Sequence, residues 1–469
     1  MSHNELKLNK HNFRMIKNEN EIENLLFHVP TTSLYELDNN GMTLMNELEN
    51  GTFELNNSNK DDLEMLASLG LIGKEEPSTY QEIKNLPATT LILNVASGCN
   101  LSCTYCYKED LETLSNSGNM TFETAKLAID QLYAGAKDKK DFNVTFFGGE
   151  PLGNFALIQE VTKYARDFFS QKGATVDFTM TTNATLLTRE IIEFLKENKF
   201  GITISMDGPA SIHNMNRLTN SGGGSYEHVR KKVKLLQSLY KSERPVGARV
   251  TLTAGITQID EIWDHLFNDL GFDDVGFAPA TASDNSRFNL SEFELVKVFN
   301  GFKTLGQKYI DSAIKGEFNG FSNLHRIVGD IHAGRKKKLP CGAGVGLLSV
   351  SYKGDFDLCH RFTGSDFTSF GNVKTGLDKP KLSNFIEKRL NTNDGDCATC
   401  HIRNLCAGGC YHESYIKYND PSKAVLHYCD IMRDWIDYGL YVYSVIREKN
   451  PEFFDIYFNE EKGDTNGLI

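Results

Sequence analysis

The sequence predicts an α/β protein in which a partial (β/α)6 barrel stands between a small winged-helix-like N-terminal region and a cysteine-rich C-terminal region. Three observations predict this architecture. Apolar runs alternate with helical patterns over residues 89–280, short strand and helix patterns precede them, and seven of the ten cysteines lie between Cys341 and Cys429. The expected regions are 1–82, 88–315, 335–435 and a C-terminal helix and tail at 436–469.

The N-terminal region carries short patterns of both kinds. Asn12–Ile16 and Leu25–Leu37 are typical of strands, the second broken by a turn at Pro30–Thr32, while Met42–Leu48 and Asp61–Leu69 have apolar residues at helical spacing. Residues 1–80 hold 6 Lys and Arg against 14 Asp and Glu, a formal charge of −8. This acidity disfavours the DNA binding for which winged helices are known. A domain that only caps the barrel is the structural alternative.

The barrel region is predicted from six strand patterns: Leu91–Ala96, Asn143–Phe147, Val176–Thr181, Ile202–Met206, Ala248–Thr253 and Val275–Pro279. Helical patterns fill the gaps at Thr121–Leu132, Leu157–Phe169, Thr188–Lys196, Tyr226–Leu239 and Ile259–Phe267. Strands joined by helices run parallel, so active side chains should gather at the carboxyl ends of the strands. Six repeats leave an open side through which a large substrate could enter.

Composition excludes several classes of protein. The formal charge of −12 argues against binding of nucleic acid, and no apolar run approaches the ~18 residues that a membrane span needs. The N-terminus lacks the apolar core of a secretory signal. Ten cysteines without an export signal indicate a cytoplasmic protein whose thiols are metal ligands rather than disulfides.

The first cysteine motif, Cys99-x3-Cys103-x2-Cys106, directly follows the first barrel strand. Three thiolates this close can hold three irons of a cubane and leave the fourth iron open. With aromatic Tyr105 before the last cysteine, the motif resembles that of the radical S-adenosylmethionine (SAM) superfamily. The resemblance implies that SAM chelates the open iron, and that reduction of a [4Fe–4S] cluster splits SAM into methionine and a 5′-deoxyadenosyl radical.

Further motifs stand where that family carries its SAM contacts. Gly148-Gly149-Glu150-Pro151 ends the second strand, Thr182-Asn183 the third, and Ser205-Met206-Asp207-Gly208-Pro209 the fourth, with Arg217 downstream. The glycines permit close backbone approach, and a carboxylate pairs with an ammonium. The resemblance implies that Glu150 receives the methionyl amino group, and that Ser205 and Arg217 contact the ribose and carboxylate.

The seven C-terminal cysteines resemble the pattern of the SPASM domain, which holds two auxiliary [4Fe–4S] clusters. The resemblance assigns an outer set, Cys397, Cys400, Cys406 and Cys429, and an inner set, Cys341, Cys359 and Cys410. Three cubanes need twelve ligands, so ten cysteines leave one position for SAM and one on the inner cluster. Water, His360 or a thiolate of the substrate could fill the second.

Two segments, around Cys341–Phe362 and Cys406–Glu413, resemble the quinohemoprotein amine dehydrogenase maturation group and the related ranthipeptide maturases. That resemblance implies thioether bonds between a peptide Cys and a non-α carbon of Asp or Glu, with Arg249 and Arg361 as candidate partners for the carboxylate. The N-terminal region resembles a leader-peptide recognition element, which adds an extended peptide to a sheet edge. An external electron donor of flavodoxin or ferredoxin type is also implied.

Three other functions stay open within the same class of enzyme: carbon–carbon crosslinking, α-carbon thioether formation, and oxidation of Ser or Cys to formylglycine. A regulator that senses redox state through its clusters is the rival from another class. The acidic N-terminal region and the complete set of SAM motifs argue against that regulator.

Overall fold

The computed structural model describes residues 8–17, 24–50, 52, 60–72, 87–108, 112–241, 244–281, 286–391 and 395–458. Strand bounds are β1 Phe13–Ile16, β2 Leu25–His28, β3 Ser33–Glu36, β4 Thr90–Asn94, β5 Gly98–Cys99, β6 Glu112–Thr113, β7 Asp141–Phe147, β8 Thr175–Thr182, β9 Gly201–Ser205, β10 Val246–Leu252, β11 Asp274–Pro279, β12 Leu347–Val350, β13 Phe356–Asp357, β14 Gly371–Asn372 and β15 Gly376–Leu377.

Helix bounds are α1 Asn39–Asn50, α2 Lys60–Ser68, α3 Phe122–Gly135, α4 Phe155–Gln171, α5 Arg189–Glu197, α6 Ala210–Asn216, α7 Tyr226–Leu239, α8 Ile259–Asp264, α9 Glu292–Ile314, α10 Ser322–His332, α11 Lys379–Asn391, α12 Arg403–Cys406, α13 Tyr411–Tyr418, α14 Cys429–Lys449 and α15 Glu452–Tyr457. Each predicted helix is present, although the pattern at Ile259–Phe267 divides into α8 and a π-helical turn at His265–Asp269.

The central sheet has the order β11-β10-β9-β8-β7-β4-β12-β13. The six predicted strands are all present, and the pairs from β4 to β11 are parallel, which confirms the predicted α/β class. The sheet also has two strands that the sequence did not predict. Strand β12, from the cysteine-rich region, pairs parallel with β4, and β13 continues the sheet antiparallel. The barrel and the C-terminal region therefore share one sheet.

Side chains alternate along the barrel strands, and this alternation decides what faces the interior of the barrel. On β10 the even positions, such as Ala248 and Val250, are buried in the apolar core, whereas Gly247, Arg249 and Thr251 are only half-buried. Arg249 therefore lies on the face opposite the apolar core. The same alternation on β9 leaves Ser205 half-buried at the strand end, opposite Arg249 in register.

The N-terminal residues form a three-stranded antiparallel sheet, β1-β2-β3, with α1 and α2 after it. One face of the hairpin packs on the C-terminal region, where Phe27 and Val29 meet Leu405 and Leu440 in one apolar cluster. Arg403 donates hydrogen bonds to His11 O (2.7 Å) and to Asn12 Oδ1. Among the described residues of this region, β3 pairs only with β2, and it has exposed side chains at its end.

The C-terminal tail differs from the prediction in one respect. One C-terminal helix was expected within residues 436–469, but α14 already begins at Cys429, and α15 is a separate helix after a break at Asn450–Pro451. Proline lacks the N–H that an uninterrupted helix would use and clashes with the preceding turn, so a new helix begins at this point. Among the described residues, no helix has the length and apolar character needed to cross a bilayer.

Candidate functional site

The first cysteine loop lies at the carboxyl end of β4 and is fixed by backbone hydrogen bonds. The N–H groups of Ser102 and Thr104 donate to carbonyls of the segment after α6, at 2.8 and 2.9 Å. Burial raises the pKa of Cys99 to about 12, and the charges of Glu150, Cys103 and Cys106 raise it further. The three thiols thus lie close enough to repel one another as thiolates, which is the arrangement expected of ligands to a shared cationic group.

Several donors point at these sulfurs. The N–H of Leu101 donates to Cys99 Sγ at 3.4 Å, Asn183 Nδ2 donates to the same sulfur at 3.5 Å, and Arg217 Nη1 lies 3.9 Å from Cys103 Sγ. Donors of this kind stabilise a thiolate rather than a neutral thiol. The loop therefore fits the predicted iron–sulfur ligand set on grounds of its own chemistry.

Gly149 and Glu150 lie directly against this loop. The N–H of Gly149 donates to Ala96 O and that of Glu150 to Gly98 O, both at 2.8 Å. A Cβ atom on Gly149 would be 2.1 Å from the Gly98 carbonyl oxygen, so any larger residue would push the motif off the loop. The two glycines of the motif thus serve close backbone approach, as predicted.

The Glu150 carboxylate is buried and is held by neutral donors. It accepts hydrogen bonds from Thr182 Oγ1 (2.5 Å), from the N–H of Asn183 (2.8 Å) and from the N–H of Leu152 (3.2 Å). Burial raises its pKa to about 7, and these hydrogen bonds oppose the rise. A bound ammonium group would favour the ionised form. The carboxylate therefore fits the amino group of SAM, and Thr182 and Asn183 orient it.

Tyr105, Asp207 and Arg217 form a buried hydrogen-bonded group between the cysteine loop and the barrel. Asp207 Oδ2 accepts from Tyr105 Oη (2.6 Å) and from Arg217 Nε (3.0 Å), and Oδ1 accepts from the N–H of Thr251 (3.0 Å). Tyr105, Asp207 and Arg217, all predicted as cofactor contacts, are thus linked by hydrogen bonds to the Asp207 carboxylate. Their observed contacts tie the loop to the ends of β9 and β10.

The electrostatic interactions among the seven C-terminal cysteines run within two groups. In the inner set, burial raises the pKa of Cys359 to about 12, and the charges of Cys410 and Cys341 add to the rise. In the outer set, burial raises the pKa of Cys397, and Cys406, Cys400 and Cys429 raise it further. The strongest mutual repulsions therefore run within each set of cysteines.

These sets differ from a site for one metal ion. Within the described ranges, no three His, Cys, Asp or Glu side chains converge as ligands of a single ion. A [4Fe–4S] cubane distributes its ligands over four irons, so the sulfurs need not point at one atom.

The loop between Cys406 and Cys410 adopts a conformation that places N–H groups at sulfur. Ala407, Gly408 and Gly409 have φ values of 50°, 80° and 79°, in the left-handed region. The N–H groups of Gly408 and Gly409 hydrogen-bond to the Cys406 thiol and lower its pKa, against the larger effect of burial. Consecutive N–H groups of this kind form a concave anion site, which again fits a thiolate ligand.

Arg389 of α11 lies behind the same loop and is 1% exposed. Its guanidinium donates to the carbonyl oxygens of Ser422, Lys423, Ala407 and Gly409. Burial lowers its pKa, while Tyr411, Cys397, Cys406 and Cys410 raise it. Arg389 thus places a buried positive charge between the outer and the inner cysteine sets.

Tyr107 lies where the first cysteine loop meets the inner set. Burial raises the pKa of its phenol, Arg361 lowers it, and Cys106 and Cys359 each raise it. The Tyr107 ring meets the His360 ring edge-on at 6.2 Å, and the Arg361 guanidinium lies 5.4 Å from the Tyr107 ring centroid. One buried ring therefore interacts with a cysteine of the first loop, Cys106, and with a cysteine of the inner set, Cys359.

Positive charge accumulates around this junction. Burial lowers the pKa of Arg249 to about 10, and the charges of Arg326 and Arg361 lower it further, while Asp274 opposes them. Arg361 donates to Thr281 Oγ1 at 2.7 Å. The structure thus brings the two predicted arginines, Arg249 and Arg361, into electrostatic contact on the inner side of the barrel.

His360 faces this junction. Its ring stacks on Phe147 at 4.3 Å, burial lowers its pKa, and Arg361 and Lys108 lower it further. Its ring is therefore buried among cationic side chains of the barrel region and the C-terminal region.

Sequence reasoning missed four residues of the site: Tyr107, Arg326, Arg389 and Tyr411. Tyr107 and Tyr411 each directly follow a predicted ligand, Cys106 and Cys410, and that adjacency was an available signal. The two arginines lie on helices α10 and α11, and only the tertiary fold brings Arg326 near Arg249 and Arg389 near the C-terminal cysteines.

Comparison with known proteins places this geometry in a family context. Residues 93–270 match the model of the radical SAM superfamily. A cysteine-type anaerobic sulfatase-maturating enzyme of Clostridium perfringens is 25% identical over 375 residues, 75% of this chain and 96% of that protein. The radical SAM cyclopropyl synthase TigE of Paramaledivibacter caminithermalis is 25% identical over 503 residues, 96% of this chain and 98% of that protein.

A solved structure extends the similarity to the fold of most of the chain. Streptococcus suis SuiB bound to the precursor peptide SuiA aligns with a TM-score of 0.53 at 16% identity, covering 90% of this chain and 99% of that one. At this identity the alignment concerns the fold.

Proposed function

We propose that this chain, which carries a radical SAM domain at residues 93–270, is a maturase that forms thioether bonds in a ribosomally made precursor peptide. The bond would join a Cys sulfur to a non-α carbon of Asp or Glu. Peptide modification as the general activity is supported by the relatives, one of which matures sulfatases while another is a cyclopropyl synthase.

Each bound group has a set of residues suited to it. Cys99, Cys103 and Cys106 would hold the SAM-binding cluster, and the outer and inner sets would hold two auxiliary clusters, three [4Fe–4S] clusters in all. Contacts to SAM would come from Gly148, Gly149, Glu150, Thr182, Asn183, Ser205 and Arg217, with Tyr105 and Asp207 behind them. When bound, these groups would supply a 5′-deoxyadenosyl radical to remove one hydrogen atom from the peptide and an acceptor for the one electron released as the bond forms, while the proton of the Cys thiol would pass to solvent.

The observation that carries the proposal is the junction at Tyr107. Its ring interacts with Cys106 of the SAM set and with Cys359 of the inner set, so a peptide lying there would contact both. Thioether formation requires this proximity, because the carbon radical and the sulfur must meet before the radical reacts elsewhere.

Charge at the junction favours an acidic acceptor residue. Arg249 and Arg361 interact with each other and with Arg326, and Asp274 is the acidic group that opposes them at Arg249. Buried cations in excess are costly, and a carboxylate of the substrate would relieve that cost through charge-assisted hydrogen bonds. The chain's own contribution is therefore to bind and orient the Asp or Glu side chain.

The N-terminal region would bind the leader of the precursor peptide. In the part of the chain that the structure describes, strand β3 pairs only with β2, and such an edge can accept an extended peptide strand. The acidic balance of residues 1–80 favours a leader with Lys or Arg. Bound precursor peptide in the similar fold of SuiB supports this role. An external flavodoxin- or ferredoxin-type protein would supply electrons.

The test is anaerobic incubation of the reconstituted enzyme with SAM and a Cys-rich precursor peptide, followed by tandem mass spectrometry. Loss of two hydrogens per Cys, with fragments that locate a bond to Asp or Glu, is the expected result. Free thiols beside a modified Ser or an altered aromatic carbon would refute thioether formation.

A carbon–carbon bond-forming activity is the second candidate. It is favoured by the similarity to TigE, a cyclopropyl synthase that matches this chain over nearly its full length. The same spectra separate the two, because a carbon–carbon product retains every thiol and can be alkylated at each Cys.

A further inference from the structure

Tyr411 lies against the inner cysteine set. It is the first residue of α13, directly after Cys410, and its side chain is 1% exposed. Phe385 packs edge-on against the ring at 5.6 Å, and the Arg389 guanidinium lies over the ring, 5.3 Å from its centroid. The ring therefore has one position, fixed from both sides.

The Tyr411 hydroxyl is buried, and among the described residues it has no hydrogen-bond partner. Burying a polar group without a partner is costly, so native proteins rarely leave one in this state. An unpartnered hydroxyl at this depth indicates a partner that belongs to the site but is not part of the polypeptide.

The surroundings of the hydroxyl identify the chemistry of that partner. Cys341, Cys359 and Cys410 all lie near enough to the phenol of Tyr411 to interact with it electrostatically. A phenol has one O–H to donate, and the sulfur atoms of thiolates accept hydrogen bonds. The Arg389 guanidinium donates its hydrogen bonds to backbone carbonyls. It therefore lies over the ring of Tyr411 but does not hydrogen-bond to the hydroxyl.

We propose that the Tyr411 hydroxyl donates a hydrogen bond to sulfur of the iron–sulfur cluster held by Cys341, Cys359 and Cys410. This inference rests on the proposed function only in that the inner set must hold a cluster. Each electron that the cluster accepts adds negative charge to its sulfurs, and a hydrogen bond to sulfur stabilises the reduced form more than the oxidised form. Tyr411 therefore makes the inner cluster a better electron acceptor, which the proposed bond-forming step requires.

The test compares the reconstituted wild type with Tyr411→Phe, which keeps the ring and removes the hydroxyl. Tyr418→Phe is the matched control, because Tyr418 ends the same helix and is 37% exposed. Iron content and redox titration followed by electron paramagnetic resonance are measured for each. The signal of the inner cluster is identified as the one that Cys341→Ala removes.

The expected result for Tyr411→Phe is an unchanged iron content and a more negative midpoint potential of the inner cluster alone. In the reduced wild type, electron–nuclear double resonance in H2O and D2O should also detect an exchangeable proton coupled to that cluster, and Tyr411→Phe should lack it. Tyr418→Phe should match the wild type in every measurement.

Two results would overturn the hydrogen bond. One is an unchanged potential with the same exchangeable protons in Tyr411→Phe. The other is loss of one cluster's iron from that variant, which would assign Tyr411 to ligation or folding. If Cys341→Ala removes no signal, the inner cluster itself is refuted, a failure distinct from that of Tyr411 alone.

Discussion

The barrel and the cysteine-rich C-terminal region hold their thiols by different physical means. The loop of Cys99 follows strand β4. The adjacent strand β7 has Val144 and Phe146 fully buried in the main apolar core. The loop of Cys406 instead depends on three left-handed residues and on the guanidinium of Arg389. The first loop is positioned by packing that needs no metal, whereas the second is positioned by polar contacts around sulfur.

Removal of iron should separate the two regions most strongly. After anaerobic chelation of the reconstituted protein, we expect amides of residues 395–430 to lose protection against hydrogen exchange, because the groups that the thiols bind have gone. Amides of β7 and β8, in the middle of the sheet, should keep their protection. Mass spectrometry of peptic fragments would measure the exchange. Equal loss of protection in both regions would refute the proposed difference in how their thiols are held.

Arg389→Leu should destabilise the C-terminal region while sparing the barrel. The change leaves buried carbonyl oxygens without their donor and removes a positive charge near the thiolates, at a cost of about 3–5 kcal/mol in unfolding free energy. Denaturant unfolding, followed by the visible absorbance of the clusters, would measure it. Lys388→Leu, at the neighbouring exposed position that pairs with Asp420, is the control and should cost far less.

Arg249→Met tests the side of the barrel that faces the junction. If the arginine binds the acidic side chain of the peptide, loss of a charge-assisted hydrogen bond should lower kcat/KM for crosslinking about 10- to 100-fold. Cleavage of SAM without peptide should continue at the wild-type rate. Arg189→Met, which removes an exposed arginine paired with Glu193, should leave both rates unchanged. Wild-type crosslinking by Arg249→Met would exclude this arginine from the substrate site.

The smallest expected effect, within about one pH unit below 6.5, is an acid sensitivity of the packed region. Burial lowers the pKa of His325 to about 3, and its Nδ1 lies 2.8 Å from Tyr309 Oη. The unfolded chain takes up a proton below pH 6.5, whereas the folded protein does so only near pH 3. Stability is therefore complete above pH 6.5 and falls by about 1.4 kcal/mol for each pH unit below it.

Fluorescence of Trp263 and Trp435, both in or against the barrel, reports unfolding of this region at each pH. The His325→Gln substitution should remove the contribution of His325 to the fall of unfolding free energy with decreasing pH. A slope in the variant equal to that of the wild type would assign the acid sensitivity to other groups.

The same contrast explains how far the sequence alone could predict the molecule. Strands β4 and β7 to β11 were predicted within two residues at most ends, because period-two and helical patterns are local and strong there. The cysteine sets were also predictable, since the spacing of thiols along the chain is itself the signal.

The rest depended on contacts between distant segments. Leu347–Val350 is a short apolar run that could not be told from loop until β4 offered a free edge for it. Arg389, and the proximity of Tyr411 to Cys341 and Cys359, acquire their meaning only from contacts between separate parts of the chain. Polar groups buried by tertiary contacts leave no periodic pattern in a sequence.

The seating of the N-terminal hairpin has a consequence for the engineering of this enzyme. Helix α12 ends at Cys406, and its residues Arg403 and Asn404 donate to His11 O and Val29 O at the ends of the hairpin. A module grafted from another maturase would have to bring its own version of this surface. Functional chimeras should therefore exchange residues 8–72 together with 400–405, and the specificity of the N-terminal region is inherited jointly with a segment nearly four hundred residues away.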